Sequence, residues 1–248
     1  MSGLRAEALP GLPEIGPGHD LAALLSEGAA RLPEPGLDPT DVLVVAHKAV
    51  AKAEGRVVPL AGVLPHARAR QLAAEHGKDP RLVELILSET AEIVRADAGR
   101  LICRTHHGFV CANAGVDQSN AGGADHAVLL PVDPDASARA LRARLGCAVV
   151  VADSFGRAWR VGQAEVAIGC AGLLPVDDWR GRPDAGGREL HATLIAVADE
   201  AAAAADLVRG KATGEPAVRL RGLGRFVLED DGPGAAALLR AKEQDLFG

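Results

Sequence analysis

The chain contains no tyrosine, and four phenylalanines and two tryptophans are its only aromatic residues. That scarcity leaves the core to Leu, Val, Ile and Ala, and it removes the stacking surface on which a single-stranded nucleic acid would lie. A formal net charge of -6 also argues against a partner held through its phosphate backbone. Cysteine is sparse as well. Cys103, Cys111, Cys147 and Cys170 form no Cys-x-x-Cys pair and have apolar neighbours, so they read as small core residues of a reducing compartment. A zinc site drawn from Cys103, His106, His107 and Cys111 has the wrong spacing for a zinc knuckle. Nowhere do about eighteen apolar residues run together, and residues 1–7 lack a basic start followed by an apolar core. The expectation is a cytoplasmic chain with no membrane partner. At 248 residues, 48% hydrophobic and 24% charged, it has room for one large domain or two intertwined lobes.

The polar chemistry must therefore come from a few crowded segments. In Asn-Ala-Gly-Val-Asp-Gln-Ser-Asn, residues 113–120, an apolar run ends and a glycine lets the backbone turn, so that Asp117 and Asn120 can face one ligand. Alone, this reads better as a surface turn, because Gly, Asp, Ser and Asn are the commonest turn residues. A second segment alters the balance. The apolar strand of residues 149–152 delivers Asp153-Ser154 and then Phe-Gly-Arg-Ala-Trp-Arg, residues 155–160. Carboxylates at the ends of two strands, one with an adjacent hydroxyl, make a hard-oxygen set suited to Mg²⁺ or Mn²⁺ shared with substrate phosphates. Arg157 and Arg160 beside them suit an anionic, partly aromatic substrate.

Four segments in order carry a resemblance: Leu-Pro-Glu-Ile at 12–15, Lys-Ala-Glu-Gly-Arg at 52–56, the 113–120 stretch and Asp-Ser-Phe-Gly-Arg-Ala-Trp-Arg at 153–160. From about Leu9 to about Gly222 the chain resembles the coenzyme F420-0:L-glutamate ligase family. The resemblance implies an α+β (mixed α/β) fold of mixed sheets flanked by helices, with residues 1–248 forming a single ligase domain of intertwined lobes and no fused nitroreductase-like half. It implies GTP-dependent addition of L-glutamate, through a γ-linkage and an acyl phosphate, to the deazaflavin coenzyme F420-0, with extension of the tail. It also implies a homodimer, one or two Mg²⁺ or Mn²⁺ ions, and K⁺ as a further candidate.

Residue by residue, the resemblance gives Leu12, Pro13, Glu14, Ile15, His47, Lys52 and Asn120 to the nucleotide, and Asp117, Asp153 and Ser154 to the metal. The turn Arg209, Gly210, Lys211, Ala212, Thr213, Gly214 joins the nucleotide set. That turn is no Walker loop, since Ala205 stands where the first glycine belongs and Ala212 where the hydroxyl belongs. Two positions depart from the family. His47 stands where members often have Ser, and Lys211 stands where an amide or acid often helps hold a second metal, which an ammonium does not ligate. Arg157 and Arg160 are candidates for the phosphodiester or the incoming glutamate. Two other readings use the same residues: a metal-dependent phosphohydrolase acting on GTP, and a non-catalytic nucleotide sensor.

The remaining pattern predicts a helix over 21–25 capped by Asp20, a strand over 41–46, a helix over 65–76 and another opened by Asp79-Pro80 that carries Ile93 on its apolar face. Strands follow over 101–104 and 109–112, then a strand over 127–130, a helix to Leu145 and the Asp153 strand, read together as one strand–helix–strand unit. Residues 177–187 read as a polar loop and 189–208 as the longest helix, with an Ala-rich face for another helix or subunit. Strands over 218–221 and 225–229 and a helix over 235–245 complete the expectation.

Overall fold

The computed structural model describes residues 3–210 and 213–245. After β1 (Arg5–Ala8), α1 (Leu21–Ala30) starts where the Asp20 side chain accepts from Ala23 N, and it outruns the expected 21–25 because Leu25, Gly28 and Ala29 continue its buried face. β2 (Val42–Ala46) leads directly into α2 (His47–Ala53) and then β3 (Val57–Pro59). α3 (Ala67–His76) stops at Gly77, which takes the left-handed conformation. α4 (Pro80–Ser88) is capped by Asp79 and gives way to β4 (Thr90–Asp97), β5 (Arg100–Thr105) and β6 (Val110–Ala112). β7 (His126–Val128), α5 (Pro134–Leu145), β8 (Ala148–Arg157), β9 (Arg160–Ala171), β10 (Asp177–Asp178), β11 (Leu194–Ile195), α6 (Val197–Asp206) and β12 (Ala217–Arg221) follow. The architecture is α+β, as expected.

A five-stranded sheet in the order β1-β12-β2-β8-β9 forms the centre, with β2 and β8 parallel and the other pairs antiparallel. Leu43, Val45, Val149 and Val151 face α1 and α5, whereas Val42, Val44, Val150 and Ala152 face α6. Both faces are covered, which is why these strands are continuous aliphatic runs. A second region packs α3 and α4 onto the β4-β5-β6 sheet and the β3–β7 pair, around Leu72, Ile86, Leu101, Val116 and Ala127.

Several expectations are corrected. Ile93 lies in β4 and not on a helix, because α4 ends at Glu89 and the next residues pair with β5 from Thr90↔Thr105 onward. Helix formation over 189–208 is confined to α6, since Leu194 and Ile195 are taken by pairing with β10, and Asp199 and Glu200 mark the first helical turn. The alanines of α6 are buried on this chain's own sheet. Residues 225–229 form no strand; a 3₁₀ turn, Gly224–Phe226, precedes a single bridge from Val227 to Leu173. The final helix is replaced by 3₁₀ turns, the first held where the Asp135 carboxylate accepts from Ala235 N. The strand–helix–strand unit also dissolves, because β7 pairs with β3 while the parallel neighbour of β8 is β2. His106 and His107 turn their Nε2 atoms to backbone carbonyls, of Ser88 and of Pro131 and Val132.

Candidate active site

Parallel β2 and β8 bring Ala46 opposite Ala152, so the next residues of the two chain segments, His47 and Asp153, stand side by side. The two then diverge. β2 becomes α2 at His47, whereas β8 runs on through Asp153 to Arg157, so Asp153 sits within a ten-residue strand and not at a strand end as expected. His47 is 3% exposed, and its Nε2 lies 3.2 Å from Asp153 Oδ1, which also accepts from Ser154 N at 2.7 Å. The buried Nδ1 has no hydrogen-bond partner among the described residues.

Lys48, one residue on, reaches the other acid. Its Nζ donates to Asp117 Oδ2 at 2.6 Å, to Ser119 Oγ at 2.6 Å and to Ser119 O at 3.0 Å. Consecutive residues of one strand-to-helix junction thus hold Asp153 and Asp117, which are far apart in sequence. Asp117 is set by an unusual turn, in which Asn113, Ala114 and Gly115 all have positive φ, 54°, 52° and 75°. A side chain at Gly115 would meet the Leu130 side chain at 2.6 Å, so both the conformation and the space demand glycine. Beyond the turn, Asp117 exchanges backbone hydrogen bonds with Val128, which ties the loop to β7.

Burial alone would raise the Asp117 carboxyl, but hydrogen bonds from Lys48 and Ser119 outweigh it and hold the group below the usual carboxylate value. It is therefore an anion at neutral pH. Burial, and then the charge of Asp153, push the Cys111 thiol up to about 12, which leaves it protonated and inert.

Both acids line one open cavity of about 530 Å³. Pro13, Glu14 and Ile15 form one wall, and the buried Lys52 is ion-paired there with the exposed Glu14. Asn120, with φ 55°, closes the side next to Asp117. On the opposite wall, Ser154 Oγ donates to Glu165, and Arg209 holds Glu165 Oε2 at 2.8 Å with both side chains less than a tenth exposed. Gly210 and Gly214 border the rim.

Four expected residues lie elsewhere. Leu12 packs into the core beneath α1, and Thr213 turns its hydroxyl to Gly210 O. Arg157 and Arg160 sit at the exposed tip of the β8–β9 hairpin, beyond the cavity, where Arg157 donates to Val161 O. Their nearness to Asp153 in sequence is undone by the extended strand, which carries each residue about 3.3 Å further away. Lys211 and Ala212 lie outside the described residues. Conversely, Lys48, Ser119, Gln163, Glu165 and Glu215 line the cavity without having been singled out. Lys48 follows an aliphatic strand, where a lysine ordinarily marks a solvated end. A glutamate within the apolar end of β9 was the one legible sign of Glu165.

Among the described residues no three His, Cys, Asp or Glu side chains cluster as a metal cage. The donor set nevertheless fits Mg²⁺ or Mn²⁺ in company with a nucleotide, since Mg²⁺ sites commonly use one or two carboxylates, with phosphates and water for the rest. A profile of the family described as F420-0:gamma-glutamyl ligase matches residues 11–222. The chain belongs to this family. It is 44% identical to the coenzyme F420:L-glutamate ligase of Methanothermobacter thermautotrophicus, over 99% of each chain. The protein of the same name from Methanopyrus kandleri is 43% identical over 98% of this chain and 97% of its own, and that from Natronomonas pharaonis is 42% identical over 98% and 94%. The four ordered segments that carry the family resemblance fall within the matched span, and each contributes a wall of the cavity except the arginine-bearing end of the last.

Proposed function

We propose that this chain performs the family's ligation, joining L-glutamate through a γ-linkage to coenzyme F420-0 at the expense of GTP, and extending the resulting tail. A carboxylate is a poor electrophile, so the γ-phosphoryl group passes first to the F420-0 carboxylate to give an acyl phosphate. The glutamate amine then attacks the acyl carbon and inorganic phosphate leaves. The observation that carries this reading is the convergence of Asp117 and Asp153 on one cavity beside the buried Lys52, held from the single junction His47-Lys48.

Lys52 supplies a point charge for the triphosphate, and Glu14, now paired with it on an exposed side chain, gives way to that stronger anion. Asn120 and the turn at Gly210 and Gly214 align the nucleotide along the rim. Asp117 and Asp153, with Ser154 as a neutral oxygen, would hold Mg²⁺ or Mn²⁺; when bound, the ion neutralises phosphate charge and orients the γ-phosphoryl group. His47 stands beside the Asp153 carboxylate, its Nε2 3.2 Å from Oδ1. Catalysis here is mostly positioning and charge stabilisation. A second ion and a K⁺ requirement would fall to the side of the cavity bordered by Gly210 and Gly214. The homodimer implied by the family needs a surface other than the alanines of α6, which this chain buries itself. No helix among the described residues is long and apolar enough to cross a membrane.

The test is mass spectrometry of a reaction holding GTP, Mn²⁺ or Mg²⁺, L-glutamate and F420-0. The expected result is F420-0 gaining one or more glutamyl residues with matching release of GDP and phosphate. GTP turnover without acceptor or glutamate would make the chain a phosphohydrolase, and saturable GTP binding with no product in any mixture would make it a sensor.

A further inference from the structure

Lys48 has no spare donor. An ammonium offers three N–H groups, and its Nζ lies within hydrogen-bond distance of three oxygens: Asp117 Oδ2, Ser119 Oγ and Ser119 O. The carboxylate is nearly saturated in turn. Oδ2 accepts from Lys48 and from Ser119 Oγ, and Oδ1 accepts from Ser119 N at 2.8 Å, which leaves one of about four lone-pair positions open. A dication arriving at that position meets a positive charge already seated on the same carboxylate, on side chains 21% and 46% exposed, so water screens the repulsion in part and leaves the remainder to act at contact distance.

Lys48 also has somewhere to go. Lys48 and Lys52 are four residues apart on α2, so they project from the same face, and both line the cavity. A triphosphate drawn to Lys52 therefore lies within the compass of the Lys48 side chain as well, and it offers the ammonium a replacement for Asp117.

From this geometry we infer that Lys48 is a built-in counter-ion that guards Asp117 and is transferred to the nucleotide, so that tight divalent-ion binding waits for GTP. The inference rests on the proposed use of GTP and a divalent ion, and it adds the order in which they are taken. Lys48 is a positioning residue in the resting chain: it keeps the loop of residues 117–119 docked on α2 and keeps Asp117 neutralised while no ion is present. His47 stands differently towards Asp153, a single imidazole nitrogen 3.2 Å from Oδ1 with no second contact to the carboxylate, so the guard is confined to one of the two acids.

The probe is Mn²⁺ alone, titrated into the full chain without nucleotide and followed by the electron paramagnetic resonance signal of the free ion. Lys48→Met keeps the length of the stem and removes the charge. It is expected to bind Mn²⁺ at least about tenfold more tightly than the unaltered chain, the scale of removing one like charge from beside the ligand. The added gain on supplying GTP should shrink by the same factor. A structural role for Lys48 would give the opposite sign, because a loosened loop binds an ion less well. Ser119→Ala removes one of the ammonium's acceptors and one donor to Asp117 while leaving Lys48 in place, so it should shift affinity in the same direction by about threefold. It serves as the independent variant if Lys48→Met fails to fold.

Equal or weaker Mn²⁺ binding by both folded variants overturns the guard. If the unaltered chain takes up Mn²⁺ with GTP yet neither variant differs without it, the guard alone falls. If Mn²⁺ does not bind even with GTP, the metal–nucleotide reading falls and the guard with it.

Discussion

The two acids of the cavity are presented by regions built on opposite principles. Asp153 rides in the interior of β8, paired with Val166 across β9, and the residues before it are buried on both faces of the sheet. Asp117 follows, after Val116, a turn in which Asn113, Ala114 and Gly115 are all left-handed, and backbone bonds to Val128, hydrogen bonds from Ser119 and the grip of Lys48 tie it down. The strand holds its carboxylate by backbone pairing, Asp153 opposite Val166 and Ser154 opposite Glu165. The loop holds its carboxylate by local strain, a glycine with no room for a side chain and a borrowed charge. A site that must accept and release charged ligands thus has one rigid wall and one that is fastened by replaceable contacts.

The sharpest way to break that comparison is to remove each charge without changing shape. Asp153→Asn and Asp117→Asn are each expected to lower kcat/KM for ligation on the order of 10³-fold, since several kcal/mol of charge stabilisation depend on them. Only Asp117→Asn should also alter the resting loop, seen as faster amide exchange at 117–120. Equal exchange in both variants would erase the contrast.

Next in size, Gly115→Ala should destabilise the fold by about 3 kcal/mol in denaturant unfolding, because it adds a left-handed penalty to a clash with Leu130. The paired substitutions Ala152→Gly and Ala114→Gly then separate strand from strained turn. Both alanines are buried. In β8 the change loses a packed methyl and adds backbone entropy, a cost of about 1.5 kcal/mol. At Ala114, with φ 52°, relief of the left-handed conformation offsets the lost methyl, and the net change should stay within about 0.5 kcal/mol. Arg157→Ala and Arg160→Ala, at the exposed hairpin tip, are expected to change kcat/KM by less than about threefold.

The smallest effect is on acid stability. The Asp117 carboxyl is lower in the folded chain than in the unfolded one, so its contribution is complete above about pH 4 and is lost as pH falls through the lower folded value. Lys48→Met should raise the Asp117 midpoint, followed by carboxyl carbon resonances, and leave less stability to lose below about pH 4. An unchanged midpoint would mean that Ser119 alone sets it.

The legible parts of the fold were those with redundant local signals. The runs in β2 and β8 are buried on both faces and needed only their composition to be read; α5 announces itself with Asp133-Pro134 and ends at a left-handed Gly146. β4 was missed because its residues are mostly exposed, so no alternation marks it, and its one partly buried hydrophobic residue, Ile93, falls in phase with the helix before it. The stretch over 225–245 was misread for a related reason: its conformation is set by Asp135 and Leu173, which are distant in sequence.

Chemistry of the acids, of Lys52 and of the family was readable from residue types in order along the chain, because a carboxylate or an ammonium keeps its reactivity in any fold. Which charge stands against which was settled by the parallel pairing of β2 with β8, which brings His47 to Asp153 and, one residue on, Lys48 to the Asp117 loop. Coulombic energy depends on separation in space, and nothing in the spacing of 69 residues between Lys48 and Asp117 encodes a 2.6 Å contact.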